Sequence, residues 1–256
     1  MSATTTYEQP LNERIRTFLR LEFLFARVDR AMQFDDELSH RDAIDAMLSI
    51  LSVFERNDLK SEVLKEVERL ISNLSALENI AGVDRSALDN LLGELDQTLD
   101  ALQLRKSGVG QALKENDFLY SIRQRSSIAG GTCDFDLPAY HFWLQHTPVA
   151  DRISQLQFWL EQFVAVRGAI DISLRLIRSG TAFSDAQAES GFFQRSLDSN
   201  QPTQLIRVQI PSDTAYFPEI SGGKHRFTVR FMLFDINQRP QQISEDVAFR
   251  LSCCSM

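Results

Sequence analysis

The sequence predicts an α+β protein in which an N-terminal helical domain is followed by a small antiparallel β domain. Apolar residues recur at helical spacing in the first part of the chain, and they alternate with polar residues from about Gly191 onward. The later connecting segments are rich in Gly, Pro, Asn and Asp, as turns between strands are. Helices followed by short strands indicate segregated α and β layers. We expect a helical domain over residues 1–180, a β domain over residues 181–256, and a small, polar linker over residues 179–191.

Three amphipathic helices are expected first. The first covers residues 10–34. Ser39 precedes the second helix, and Asp42 stands three positions later, as in a capping box. Asp58 opens the third, which carries Leu and Val at helical spacing as far as Leu77.

Gly-rich breaks and a proline delimit the helices that follow. Residues 82–84 separate the third helix from a Leu-rich fourth helix over residues 88–102. A fifth helix is expected over residues 111–125, a short one from Pro138, and a long one over residues 150–179. The apolar faces of the fourth helix and of the long helix exceed what a small fold buries, so we expect a homodimer joined mainly through the helical domain.

The last part of the chain is expected to form short strands. Residues 205–210 and 226–233 alternate apolar with polar or basic side chains, and residues 247–253 give a final strand. In the segment 226–233 the apolar side chains point one way, while Arg226 and Arg230 point the other.

Composition limits the possible functions. The chain has 256 residues, 43% of them apolar, and a net charge of −8, so it has no general attraction for nucleic acid or anionic lipid. No segment resembles a signal peptide, and no run approaches the roughly eighteen apolar residues of a membrane span. The three cysteines show no CxxC spacing. We expect a cytoplasmic protein without membrane insertion.

The segment RSSIAGGTCDFDLPAYHFWLQH, residues 125–146, raises the question of a chemical site. Cys133 could be a nucleophile with His141 as its base, but this also needs an orienting group and an oxyanion hole. A zinc site from Cys133, His141 and His146 lacks the paired ligand spacing of structural zinc. We expect neither a catalytic site, nor a metal, nor a cofactor; Cys133 packs as a small apolar residue, and the Gly pair forms a turn with positive φ. A cysteine-dependent hydrolase remains the alternative.

A basic stripe on the first helix gives a stronger indication of function. At 100° per residue, Arg16, Arg20, Phe23, Arg27 and Arg30 share an arc of about 80°. One interpretation is a solvated face whose arginines pair locally with glutamates. The single sign of charge and the phenylalanine within the stripe favour recognition of an acidic peptide with apolar residues. A nucleic-acid adaptor using the same stripe is a further alternative, opposed by the net charge.

Other basic residues could extend this surface. They are Arg123, Arg125 and His141 in the segment just described, and Lys224, His225, Arg226 and Arg230 around a predicted strand hairpin.

Four stretches resemble the ZapD family of bacterial cell division proteins: PLNERIRTFLRLEFL, VFERNDLKSEVLKEVERL, RQRSSIAGGTCDFDLPAYHFWL and ISGGKHRFTVRFMLFD. The resemblance runs in order along nearly the whole chain. It implies a non-enzymatic, cytoplasmic homodimer without cofactor. Such a protein would bind the C-terminal tail of the tubulin-like FtsZ and cross-link FtsZ filaments at the midcell division ring.

The resemblance also implies which residues bind the partner. By position these are Arg16, Arg20, Arg56, Arg123, Arg125 and His141, to which the helical stripe adds Phe23 and Arg27. On this interpretation the segment around the Gly pair shapes a binding surface and is not an enzyme site.

Overall fold

The computed structural model describes residues 3–56, 58–78, 80, 82–104, 108–198 and 201–255. The chain divides into two compact units. One contains residues 1–16 and 174–256, and the other contains residues 17–173. The expected α+β class is confirmed, since helices come first and antiparallel strands follow. No helix within the described ranges has the length and apolar character that a bilayer crossing needs.

The first two helices are α1, Glu13–Ala31, and α2, Glu37–Arg56. The side chain of Asn12 caps α1 by accepting a hydrogen bond of 2.9 Å from the Ile15 amide. At α2, Asp36 accepts from the Ser39 amide at 2.9 Å, so the expected cap at Ser39 is wrong. Asp36 caps the helix because its carboxylate also accepts from the Ser39 hydroxyl at 2.6 Å, which leaves Ser39 inside the first turn.

Helices α3, Leu59–Ser75, and α4, Arg85–Leu104, pack against each other. The predicted fifth helix is interrupted, giving α5, Gln111–Lys114, and α6, Asp117–Ser126. The break occurs because Asn116 adopts an extended conformation and its side chain accepts a hydrogen bond of 3.0 Å from the Leu119 amide, which starts a new helix.

The remaining helices are α7, Pro138–His146, α8, Val149–Leu160, and α9, Val164–Ser179. A 3₁₀ turn over Glu161–Phe163 separates α8 from α9, so the predicted long helix is not continuous. In the unit of residues 17–173, an aromatic cluster packs α6, α7 and α8 together through Phe118, Tyr140, Trp143 and Trp159.

One antiparallel sheet contains β1, Thr4–Pro10, β4, Leu205–Pro211, β8, Val247–Cys254, and β2, Ser184–Ala188, in that order. The linker expected over residues 179–191 is therefore wrong in part, because β2 within it pairs with β8. Neither β1 nor β2 was expected. Both are edge strands with several exposed side chains, so their apolar alternation is weak.

The second sheet places β6, Arg226–Leu233, between β3, Phe192–Ser196, and β5, Tyr216–Gly222. A short strand, β7, Gln241–Gln242, pairs with the end of β6. Side chains from both sheets form one core, with Phe227, Val229 and Phe231 of β6 among its buried members. Because successive strand residues face opposite sides, this core leaves Arg226, Thr228 and Arg230 on the outer face of the second sheet.

Candidate functional site

The stripe on α1 is partly neutralised by carboxylates. Arg16 donates to Glu13 at 3.2 Å, which is the local pairing expected of a solvated face. Arg27 pairs with Asp42 of α2. Arg20 is exposed, and the Phe23 side chain between these arginines is 69% exposed. The stripe therefore has fewer unpaired charges than its sequence suggests.

The pairing of Arg27 with Asp42 belongs to a larger ionic cluster between α1 and α2. The hydrogen bond from Arg27 to Asp42 raises the pKa of the arginine. Burial raises the pKa of Asp45, while the charge of Arg27 acts in the opposite direction. An acidic ligand that reaches Arg27 must therefore compete with a carboxylate already bound to it.

Arg123 on α6 is also paired. It makes two hydrogen bonds to Glu55 of α2, one of them 2.8 Å long, and Lys114 lies 3.9 Å from the same carboxylate. The hydrogen bond from Arg123 lowers the pKa of Glu55. Arg56 is the last residue of α2, and its side chain lies outside the described residues.

The segment between α6 and α7, residues 127–137, is a compact loop built on successive turns. Gly130 has φ +71°, which confirms the expected positive φ at the Gly pair. Gly131 has a different role, because a Cβ there would lie 2.5 Å from the Arg125 carbonyl oxygen and 2.8 Å from Cβ of Ile128. The Gly131 amide donates to the Ile128 carbonyl at 2.9 Å, which closes one of these turns. Only glycine fits this close approach.

Carboxylates of the loop bring two of the predicted site residues together. Asp134 Oδ1 lies 3.1 Å from Nδ1 of His141, and Asp136 Oδ1 lies 3.7 Å from the Arg125 guanidinium. Arg41 of α2 reaches the same loop, donating to the Thr132 carbonyl at 2.8 Å and to Asp134 at 3.2 Å.

Cys133 does not form the pair that a hydrolase needs. Its Sγ lies 3.5 Å from Asp136 Oδ2, and the polar neighbour of His141 is Asp134. Among the residues that the structure describes, no group of three or more His, Cys, Asp or Glu side chains could hold a metal ion.

Exposed apolar side chains accompany the polar groups of the loop. Phe135 in the loop is 86% exposed, and Phe142 on α7 is 62% exposed and stacks on His146 at 4.5 Å between ring centroids. Arg125 and His141 are both partly exposed. This combination of cations and aromatic rings suits a ligand with both carboxylates and apolar side chains.

The outer face of the second sheet carries a different cationic surface. A pocket of 550 Å³ there is lined by residues of β3, β5, β6 and the β5–β6 hairpin, including Lys224, His225, Arg226, Arg230 and Phe192. All four basic side chains are exposed, and none makes an ion pair with another described residue. Glu219 stands opposite Arg230 in the strand register without pairing with it at ion-pair distance.

The structure thus separates the sequence-predicted residues into groups. Arg125 and His141 contact carboxylates of one loop, Arg16, Arg27 and Arg123 pair with carboxylates of α1 and α2, and Arg20 and Phe23 are exposed on α1. Sequence reasoning missed Arg41, because a single arginine on the polar face of a helix gives no signal of its tertiary contacts.

Comparison with known proteins shows which proteins this chain is similar to. A family model described as the cell division protein ZapD matches residues 19–230. The chain is 41% identical over 254 residues to the cell division protein ZapD of Methylococcus capsulatus, covering 99% of both chains. It is 39% identical to the ZapD of Cupriavidus pinatubonensis over 97% of this chain and 98% of the relative. It is 36% identical to that of Coxiella burnetii over 99% of each. The names of these relatives describe cell division proteins and indicate no enzymatic activity.

Proposed function

The chain belongs to the ZapD family of cell division proteins, and on that premise we propose that it binds the C-terminal tail of FtsZ and cross-links FtsZ filaments. It does so as a cytoplasmic, non-enzymatic protein at the midcell division ring. A role in cell division follows from the family itself; the partner, the bundling and the location are parts of the proposal.

The observation that carries the proposal is the clustering of exposed or partly exposed basic side chains beside exposed aromatic rings on a chain of net charge −8. Arg125 and His141 lie near Phe135 and Phe142 in one unit. In the other unit, unpaired basic side chains line a pocket with Phe192. Because the whole molecule repels anions at long range, these local surfaces supply the attraction for an acidic tail.

The proposed tail-binding residues differ in exposure and in pairing. Arg20, Phe23, Arg125 and His141 are at least partly exposed to an approaching tail. A tail carboxylate competes with loop carboxylates at Arg125 and His141, and with Glu13, Asp42 and Glu55 at Arg16, Arg27 and Arg123. Arg56 remains in the proposal through the family resemblance alone.

Cross-linking follows from presenting more than one tail site. A homodimer joined through its helical parts would present two copies of each surface to neighbouring filaments. Once one tail is bound, the second contact is strengthened by its high effective concentration. Individual contacts can therefore be weak, which suits a filament array that must remodel.

The contribution of the sheet pocket is tested by removing its charge. We expect the double variant Arg226→Gln/Arg230→Gln to bind an FtsZ tail peptide about a hundredfold more weakly or worse, because two lost charge-assisted contacts together contribute at least about 3 kcal/mol. The matched control is Arg250→Gln, which removes an exposed arginine from β8 in the first sheet. Equal affinity of the double variant and the control would exclude the pocket from the tail site.

The α1 stripe is tested at Arg20, the exposed arginine at its centre. Arg20→Glu should weaken peptide binding more than Arg20→Ala, because reversal adds a repulsion to the lost attraction. Circular dichroism should show an intact fold for both variants. Unchanged affinity in a folded Arg20→Glu protein would reduce the stripe to a solvated face.

A further inference from the structure

The contacts of Arg41 point to a role in preparing His141 for its partner. We propose that Arg41 is a positioning residue: it holds the carboxylate of Asp134 against Nδ1 of His141, so that Nε2 of the imidazole faces the ligand. This inference rests on the proposed function, because it assigns His141 to tail binding.

Arg41 is held at three points, which fixes its guanidinium. One nitrogen donates to the Thr132 carbonyl at 2.8 Å, and another donates to Asp134 Oδ1 at 3.2 Å. The guanidinium carbon also lies 4.7 Å from the centre of the Tyr140 ring. Tyr140 is buried and directly precedes His141 in α7. Arg41 therefore links α2 to the loop backbone, to Asp134 and to the residue beside the imidazole.

Asp134 Oδ1 contacts both side chains. The same oxygen lies 3.2 Å from Arg41 and 3.1 Å from Nδ1 of His141. The side chain of Asp134 is 60% exposed, so without Arg41 it could turn into solvent. The arginine thus supplies the constraint that an exposed aspartate lacks.

The chemistry of imidazole then determines which nitrogen faces outward. An ionised carboxylate only accepts hydrogen bonds, so the nitrogen facing Asp134 must carry hydrogen. This assigns the proton of the neutral ring to Nδ1 and leaves Nε2 outward, where it has no hydrogen-bond partner among the described residues.

A carboxylate ligand requires a second proton, on Nε2. Asp134 then stabilises the imidazolium at Nδ1, and the ligand accepts a hydrogen bond from Nε2, so both contacts are charge-assisted. The positive charge of Arg41 from α2, which contacts the same carboxylate of Asp134, acts against the positive charge of the imidazolium. Asp136 of the same loop is turned toward Arg125 of α6, at 3.7 Å. Once Nε2 also carries hydrogen, the ring is a directed donor to an acidic peptide.

The first measurement is the tautomer of His141, observed by long-range proton–nitrogen NMR of imidazole-labelled protein at mildly alkaline pH. Wild-type protein should hold the Nδ1–H form, and Asp134→Ala should shift the ring toward a mixture of both tautomers. Arg41→Met should produce a smaller shift in the same direction, and Arg41→Lys should restore part of the wild-type signal. Asp136→Asn, a change in the same loop away from the imidazole, should leave the signal unchanged.

The second measurement is a double-mutant cycle on tail-peptide affinity. Asp134→Ala and His141→Gln should each weaken binding, by about tenfold for loss of one charge-assisted contact. Combined, they should weaken it no more than His141→Gln alone, because Asp134 acts through the imidazole.

Two outcomes would overturn the positioning role: an unchanged tautomer in Asp134→Ala or in Arg41→Met, or an equal loss from Asp134→Ala when His141 is already glutamine. The latter would make the Arg41–Asp134 pair a loop support only. Wild-type protein that holds the tautomer but does not bind the peptide would support the hold of Asp134 on the ring and refute the tail as its ligand. That result separates failure of the proposed function from failure of the positioning role.

Discussion

Replacing Gly130 with alanine and replacing Gly131 with alanine should have different consequences, although the two positions are adjacent. At Gly131 the new Cβ would lie 2.5 Å from the Arg125 carbonyl oxygen, about 1 Å inside ordinary van der Waals contact. This oxygen belongs to the last turn of α6 and accepts a hydrogen bond of 3.0 Å from the Ile128 amide. The clash therefore cannot be relieved by rotating a side chain, and the loop backbone must move.

The expected cost of Gly131→Ala is about 2 kcal/mol, within the usual range for forcing extra volume into packed structure. For a protein of this size it corresponds to a fall in Tm of about 4–8 °C. At Gly130 a Cβ would meet nothing within 4 Å, and the φ of +71° alone imposes a strain of roughly 1–2 kcal/mol. Gly130→Ala is thus the matched control for a loss of stability without displacement of the loop.

The two variants should also differ in binding. Movement at Gly131 displaces Thr132 and Asp134, which contact Arg41 and His141, so Gly131→Ala should weaken tail-peptide binding severalfold. Gly130→Ala should bind like wild type. Thermal unfolding followed by circular dichroism and peptide affinity by calorimetry measure both effects. A folded Gly131→Ala protein with wild-type affinity would refute the reasoning that the loop geometry supports the site.

Three further predictions follow from single contacts. Burial, assisted by the charge of Arg152, lowers the pKa of the fully buried His40. The unfolded state, with an imidazole pKa of about 6.5, therefore binds more protons at acidic pH. The free energy of unfolding should be highest above about pH 6.5 and fall below that pH, and this fall should be smaller in His40→Phe. Denaturant unfolding of both proteins across pH 5–8 measures it. The same fall in both proteins would contradict a role of His40. Glu55→Gln should release Arg123 and raise the affinity for the tail peptide about two- to fivefold, the range for an exposed ion pair. The control Glu62→Gln on α3 should leave the affinity unchanged. Equal affinities of the two variants would remove Arg123 from the site. Cys133→Ser should retain filament bundling in sedimentation with at most a modest loss of stability, and a loss of bundling in a folded variant would revive the chemical alternative.

The sequence predicted elements with strong periodicity and failed where tertiary contacts decide the outcome. Helical spacing located α1 to α4, and strict alternation located β6, because each presents a clear apolar face to a core. The alternation of β1 is weak because an edge strand exposes much of its surface, so its pairing with β4 was not expected. The cap at Asp36 competed with a similar signal at Ser39, and only the hydrogen bonds distinguish them.

The candidate site, too, was predicted where the signal is local and missed where it depends on tertiary contacts. The Gly pair indicated a turn, and the positive φ at Gly130 confirms it. The sequence also gave the arginines of α1 a common face, but it could not show that Arg27 is paired with Asp42 of another helix. Likewise, nothing local marks Arg41 as a neighbour of Asp134, 93 residues later in the chain. Such ion pairs depend on the folded arrangement of separate elements.

Whether the FtsZ tail is the ligand is decided by measuring binding to intact FtsZ filaments and to filaments that lack the C-terminal tail, at low and high salt. We expect co-sedimentation and bundling with intact filaments only, and weaker binding as salt rises, because exposed charges are screened beyond about 8 Å at physiological ionic strength. Equal binding to filaments without the tail would show that the protein does not bind FtsZ through this tail.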